Sequence, residues 1–243
     1  MSRPHANTPY YDHFSRHYES RRRLGYHALL DDLEASIVLG YARSNSALLE
    51  VGCGTGLIME RLKDRVQSVV GLDASERMLE KARAKALDVR QGLAESLPFP
   101  DRSFDVVYSF KVLAHVEQIH QALDEMARVT KKGGFVIAEF YNARSLRGLR
   151  WQARKKWLSL FGPKGRLTEK DIFTRYDDPE NVRSYFPPSL QLLETRGLIV
   201  WTPAAVLHRV PGLASALREL ETCSSRGVLS RVGGFMVYVL EKA

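Results

Sequence analysis

The chain has 243 residues, 44% of them hydrophobic, and carries a formal net charge of +8 at pH 7. This length suffices for one α/β domain with an insertion and a full core, and it requires no second catalytic domain. The sequence has no apolar run of membrane-spanning length and no signal-peptide core, so a cytoplasmic protein is expected. Its two cysteines match no disulfide framework or metal spacing, so both are expected to be reduced and no metal is expected.

The first segment, residues 9–43, is predicted to be helical because apolar residues recur in it at helical intervals. These residues are Tyr10, Tyr11, Phe14, Tyr18, Leu29, Leu30, Leu33, Ile37 and Leu39. The tyrosines could pack these helices onto the domain or lie beside a bound ligand, and the spacing alone does not separate the two interpretations.

The next segment is the most informative one, because a predicted strand at 47–51 runs into a glycine-rich turn and then into a helix from Leu57 to Val66. The glycines stand at alternate positions: Gly52, Gly54 and Gly56. Glycine allows a tight turn in which a ligand lies against bare backbone near a helix N-terminus. The dinucleotide fingerprint G-x-G-x-x-G needs glycine where Leu57 stands, so the pattern is G-x-G-x-G preceded by Glu50.

Three further blocks follow in order. A strand at 68–72 ends at Asp73, about 20 residues after the first turn, where a nucleotide-binding fold places a ribose-binding carboxylate. Residues 91–109 read QGLAESLPF and then DRSFDVVYS, and residues 131–138 read KKGGFVIA. The spacing of Asp73 alone would also suit NAD.

Together these blocks resemble the class I S-adenosylmethionine (SAM)-dependent methyltransferases over residues 45 to 140. Their motifs include E/D-x-G-x-G-x-G, G-D-A-E-x-L-P-F and S-F-D-x-V. Leu93 stands where the family often has the Asp that bonds the adenine amino group, so the adenine contact passes to Ala94 and Glu95. The segment from Tyr10 to Glu19 resembles an N-terminal family element that lies over the cofactor.

The resemblance implies that S-adenosyl-L-methionine is the cofactor. The implied cofactor-binding residues are Tyr18, Glu50, Gly52, Cys53, Gly54, Gly56, Asp73, Ala74, Met78, Ala94, Glu95 and Ser109. It also implies an acceptor pocket in which His115 acts as a general base or serves only as a structural histidine. Tyr11, Tyr141, Asn142 and His208 are acceptor-pocket candidates by topology.

The alternation of strands and helices predicts a Rossmann-like, doubly wound seven-stranded sheet with an antiparallel last strand. Its strands are predicted at 47–51, 68–72, 87–90, 104–109, 135–140, 198–207 and 234–241. Helices are predicted at 75–86, 123–129, 188–196 and 211–223. The chain is interpreted as one methyltransferase domain, divided into a helical cap (1–43), a cofactor-binding core (44–140), a basic helical insertion (141–187) and the C-terminal part of the sheet (188–243).

The insertion holds the whole charge excess, because residues 144–175 contain ten Lys and Arg against two acids, a difference of +8. A helix there places Leu146, Leu149, Ala153, Trp157 and Leu160 on one stripe, with Arg147, Arg150 and Arg154 beside it. Three readings stay open. The insertion is a lid packed by this stripe, a helix that contacts an anionic membrane surface, or a phosphate-binding face for an acidic acceptor or RNA.

The predicted function is a SAM-dependent transfer of a methyl group to an O, N or C atom of a small molecule, such as an aromatic, quinone-like or secondary-metabolite acceptor. One alternative is a tRNA-modifying methyltransferase, although the sequence has no recognised RNA-binding module. Another is a non-catalytic SAM-binding protein. Because the sulfonium is already electrophilic, positioning dominates this chemistry and catalytic side chains are weakly specified by sequence.

Overall fold

The computed structural model describes residues 8–15, 18–19, 25–161, 173–200 and 213–243. In these residues the strands are β1 (Ala47–Val51), β2 (Ser68–Asp73), β3 (Asp88–Gln91), β4 (Phe104–Ser109), β5 (Thr130–Tyr141), β6 (Leu190–Leu198) and β7 (Phe235–Lys242). The helices are α1 (Thr8–Phe14), α2 (Tyr26–Leu39), α3 (Met59–Leu62), α4 (Glu76–Arg83), α5 (Ile119–Val129), α6 (Leu146–Phe161), α7 (Pro179–Val182) and α8 (Leu213–Ser224).

The seven strands form a single sheet in the order β3-β2-β1-β4-β5-β7-β6. Strands β1 to β5 pair in parallel, whereas β7 runs antiparallel to both β5 and β6. The predicted Rossmann-like sheet with an antiparallel last strand is therefore confirmed. The strand order reverses between β1 and β4, and such a switch point opens a crevice at the carboxyl ends of the strands.

Both faces of the sheet are covered, as a parallel sheet requires. Leu48 and Val106 point into one hydrophobic core, which includes α2, α3 and α4. Leu49 and Val107 point to the opposite face, whose core includes α5. This alternation along adjacent strands fixes the pairing register, because a slip by one residue would exchange the two faces.

The predicted helix at 188–196 is wrong, because β6 occupies Leu190–Leu198. Its leucines, Gln and Glu favour a helix locally, but the buried strand β7 needs a partner on its outer edge, and tertiary pairing outweighs propensity. The register shifts between Leu192 and Glu194, which leaves Leu193 exposed. The strand predicted at 198–207 already ends at Leu198, and residues 201–212 lie outside the described ranges.

Helix α6 confirms the predicted helix in the insertion, but the reading that its apolar stripe packs against the domain is wrong for the first turns. The side chains of Leu146 and Leu149 are 71% and 54% exposed. Although Arg147 is exposed as a residue, its guanidinium lies over the rings of Tyr141 and Phe235 on the side of α6 that faces the domain. Across the described ranges, the helices include none that is long and apolar enough to cross a membrane.

Candidate active site

The glycine turn after β1 lies at the switch point of the sheet. The backbone N–H groups of Gly52 and Cys53 donate to the Leu72 carbonyl, which ties the turn to β2. Gly52 has φ +80°, and a Cβ there would lie 2.2 Å from Val112, so only glycine fits this close approach. Gly54 also has positive φ, but the nearest atom to a Cβ added there would be the Tyr18 hydroxyl oxygen, at 3.9 Å. The turn is therefore closely packed by Val112 at Gly52 and open to a ligand at Gly54.

Asp73 joins this turn to the turn that follows β2. Its two carboxylate oxygens accept hydrogen bonds of 2.8 Å from the backbone N–H groups of Gly54 and Ser75. Burial raises the pKa of Asp73, and the backbone donors of Ser75, Gly54 and Ala74 oppose that rise. The carboxylate consequently holds the shape of the cradle and presents an acceptor at its rim.

The N-terminal segment around α1 covers one side of the cleft. Asp12 accepts a hydrogen bond of 2.5 Å from the Ser75 hydroxyl, and Lys85 pairs with Glu19 at 2.6 Å. Lys81 donates to the Ser15 carbonyl. These contacts bring Tyr11 and Tyr18 into the cleft wall.

The resulting cleft has an empty volume of about 810 Å³, part of which is open to solvent. Ten of the residues singled out from the sequence line it: Tyr11, Tyr18, Gly52, Gly54, Asp73, Ala74, Met78, Ala94, Glu95 and His115. A bare glycine edge, a carboxylate and an apolar slot suit a nucleoside with its attached chain. The residues present therefore fit SAM.

Four implied cofactor residues lie behind this lining. They are Glu50, Cys53, Gly56 and Ser109. The Tyr108 hydroxyl donates to Glu50 at 3.1 Å, and the Ser109 hydroxyl donates to the Val51 carbonyl at 2.8 Å. Burial raises the pKa values of Glu50 and Cys53 well above their ordinary values. Of these residues, Ser109 ties β4 to the end of β1, from which the turn starts.

The sequence interpretation did not assign a role to several other lining residues. They are Val51, Leu72, Ser75, Gly92, Leu93, Phe110, Lys111, Val112 and Val116. Most of them directly end or follow a strand whose carboxyl end faces the crevice, and this position is a signal that could have identified them. Leu93 lies in the lining, so the family's usual Asp position is an apolar surface here.

His115 lies in the cleft lining, in a short turn after β4. Its Nδ1 lies 3.0 Å from the Phe173 carbonyl oxygen and 3.2 Å from the Thr174 hydroxyl. Because a carbonyl only accepts, Nδ1–H is the donor, and a neutral ring then carries its acceptor lone pair on Nε2. The rings of Tyr11 and Tyr141 pack edge-on against His115, with centroids at 6.0 and 5.7 Å.

The other acceptor-pocket candidates differ in position. Burial raises the pKa values of Tyr11 and Tyr141, so their hydroxyls stay protonated and are not bases at neutral pH. Tyr141 packs behind His115 rather than in the lining. Asn142 is buried and donates to the carbonyls of Arg231 and Gly233, so it holds loops together. His208 lies outside the described residues.

A buried ionic cluster lies beneath the cleft. The Lys111 ammonium contacts Asp31 at 2.9 Å and Glu34 at 2.8 Å, and both acids belong to α2. The Lys111 backbone N–H donates to Glu139 at 3.0 Å. Burial and the neighbouring Glu34 raise the pKa of Glu139 well above its ordinary value. Lys111 also has φ +62°, and it lines the cleft, so the cluster couples α2 to the site.

A seven-stranded sheet in this order, with a glycine turn and a carboxylate at its switch point, defines the class: a Rossmann-like methyltransferase. Comparison with protein families matches residues 49–138 to the methyltransferase domain. Residues 49–138 therefore form a methyltransferase domain of the class I, SAM-dependent type, whose cofactor is SAM.

Individual relatives agree with this assignment. An uncharacterized methyltransferase, YcgJ, of Bacillus subtilis is 33% identical over 136 residues, which cover 53% of this chain and 54% of that protein. A ubiquinone biosynthesis O-methyltransferase of Maricaulis maris is 36% identical over 105 residues, covering 40% and 41%. The chain spans about half the length of the curated relatives it matches.

Among solved structures, a SAM-dependent methyltransferase of Thermotoga maritima, described as a possible histamine N-methyltransferase, is similar in fold. It has a TM-score of 0.66 and 22% identity, and the match covers 99% of each chain. This likeness supports the architecture alone.

Proposed function

We propose that this protein methylates a small aromatic or quinone-like acceptor at a heteroatom that carries a proton. The observation that carries the proposal is the cleft wall at His115, an imidazole whose Nδ1 lies 3.0 Å from a carbonyl oxygen. The Tyr11 ring lies beside it in the lining and the Tyr141 ring packs behind it. Similarity to a ubiquinone biosynthesis O-methyltransferase supports an acceptor of this type.

The chain supplies position, enclosure and a proton acceptor. The bound cofactor contributes an electrophilic methyl group. Gly54 and Asp73 are proposed to hold the nucleoside, while Tyr18 and the α1 segment cover it and keep water out. His115 Nε2 is proposed to take the acceptor's proton, because the Phe173 carbonyl fixes Nδ1–H as the donor.

Calorimetry with S-adenosylhomocysteine tests the cofactor half of this proposal. We expect the wild type to bind and Asp73→Ala to bind at least ten-fold more weakly, because the substitution frees the N–H groups of Gly54 and Ser75 from their shared carboxylate. Lys131→Ala is a matched control, since its ion pair with Asp105 lies outside the cleft lining. A folded wild type that does not bind would remove the basis of the proposal.

A screen of phenols and quinols with SAM, read out as S-adenosylhomocysteine release, tests the acceptor half. His115→Gln should lower kcat by about 10²–10⁴-fold if the imidazole acts as the base. Its cofactor affinity should be unchanged. Full turnover by His115→Gln on the same acceptor would exclude the base role while leaving the methyltransferase assignment intact.

The same measurements separate the other two candidate functions. Binding without turnover in a broad acceptor screen would favour a non-catalytic SAM-binding protein. Salt-dependent binding of tRNA would favour RNA modification. Against that, three arginines of the basic segment at 144–175 already contact other residues of the chain: Arg144 contacts Asp178 and Glu180, Arg147 contacts two rings, and Arg175 contacts Asp177.

A further inference from the structure

The outward stripe of α6, defined here as Leu146, Leu149 and Ala153, is the most exposed apolar helix face in the described part of the chain. Leu146 and Leu149 are one helical turn apart and are 71% and 54% exposed, and Ala153 is exposed as well. Single exposed leucines are ordinary, but aligned ones on a single face form a contact surface. The sequence continues this spacing to Trp157 and Leu160.

The rotation of α6 is fixed by its opposite face, so the stripe cannot turn inward. The Arg147 guanidinium lies 4.7 Å from the centroid of the Phe235 ring, and the Trp151 ring stacks on Tyr176 at 4.7 Å. A Cβ on Gly148 would lie 2.3 Å from the Asn142 carbonyl oxygen, so the helix backbone already touches the domain there. Turning the stripe inward would break all three contacts.

The charge of α6 selects among the possible occupants of this face. Its sixteen residues contain five cations and no acid: Arg147, Arg150, Arg154, Lys155 and Lys156. Two copies of so basic a helix would repel each other across a shared interface. RNA phosphates would attract the cations but would leave the leucines without an apolar partner. A bilayer with anionic headgroups provides partners for both the cations and the leucines, because the leucines enter the acyl boundary while the cations contact phosphates.

We propose that the outward stripe of α6 docks the protein on an anionic membrane surface. Leu146 and Leu149 insert at the headgroup boundary, and Arg150, which is exposed beside them, contacts lipid phosphate. Helix α6 follows Tyr141, whose ring packs on His115 in the cleft wall. The docking helix is thus close in sequence to the wall of the cleft.

Co-sedimentation of the full chain with sucrose-loaded vesicles tests this surface. The vesicles contain phosphatidylcholine alone or an equimolar mixture with phosphatidylglycerol, at low and high salt. We expect the wild type to sediment with the anionic vesicles and to be released by salt. Leu146→Gln/Leu149→Gln should reduce the partition coefficient by about ten-fold or more, because two inserted leucines lose their apolar contact. Arg150→Gln should reduce it by a smaller factor.

The matched control is Leu193→Gln/Leu220→Gln, since both leucines are 48% exposed but lie on other elements. This control should bind vesicles like the wild type, and calorimetry with S-adenosylhomocysteine should show that every variant keeps its folded cleft. The proposal is overturned if the wild type does not sediment with anionic vesicles, or if it binds neutral vesicles as strongly as anionic ones. It is also overturned if both leucine pairs behave alike, or if size-exclusion shows that Leu146 and Leu149 hold a dimer together.

Discussion

Replacing Lys111 by Met should destabilise the protein strongly, because Lys111 forms short ion pairs with two buried carboxylates beneath the cleft. Its ammonium contacts Asp31 at 2.9 Å and Glu34 at 2.8 Å, and those side chains are only 2% and 0% exposed. Removing one partner of a buried ion pair leaves uncompensated charge and costs about 3–5 kcal/mol. The Met side chain fills a similar volume, so the loss reports charge rather than a cavity.

Urea denaturation measures this change, with Lys131→Met as the control. Lys131 also makes an ion pair, with Asp105 at 2.9 Å, but the two side chains are 43% and 34% exposed. Solvent screening limits such a pair to about 0–1 kcal/mol. The double variant Lys111→Met/Glu34→Gln should recover part of the lost free energy of unfolding. A loss below about 1 kcal/mol for Lys111→Met, equal to that of the control, would refute the reasoning.

Three further predictions follow from single contacts. Gly52→Ala should cost more free energy of unfolding than Gly133→Ala by urea denaturation, because both have positive φ but only the Cβ at Gly52 meets a neighbour, 2.2 Å away. Ellman's reagent should modify exposed Cys223 quickly and Cys53 slowly, because Cys53 is buried and its thiol pKa is raised. The folded pKa of Glu139 lies above its ordinary 4.5, so its contribution to stability is full below that value and is lost as pH rises through the raised pKa. Glu139→Gln should therefore gain stability relative to the wild type as pH rises, and an unchanged difference between pH 5 and 8 would contradict this.

The core of the site was predictable because its information is local. Strand β1 begins and ends where the apolar run at 47–51 predicts, and β4 does so at 104–109. Gly52 and Gly54 follow β1 directly, and both adopt the positive φ for which glycine is suited. The carboxyl ends of β1 and β2 adjoin in a parallel sheet, so Asp73 could be expected beside the glycine turn, and Gly54 and Asp73 do share a hydrogen bond.

The sequence did not predict those features whose structure depends on contacts with distant parts of the chain. Residues 188–196 have helix-forming side chains, but most of them belong to β6, which pairs with the outer edge of β7. Lys111 follows β4 without any local signal, and its role depends on Asp31 and Glu34, which lie about 80 residues earlier in the sequence. Asn142 was a pocket candidate by topology, but its side-chain amide donates hydrogen bonds to the carbonyls of Arg231 and Gly233.

The amino-acid sequence by itself determined the class of fold and the glycine turn, because strand periodicity, glycine spacing and a following acid are properties of short segments. Its resemblance to a known family implied the cofactor. Only the tertiary structure decided which way α6 faces. The helical period of Leu146 and Leu149 shows that they share one face of the helix, but not whether that face points to the domain or to solvent. Arg147 and Trp151 lie on the side that faces the domain, where they pack against aromatic rings. Periodicity fixes which residues share a face, whereas the partner that each face meets is set by packing between segments remote in sequence.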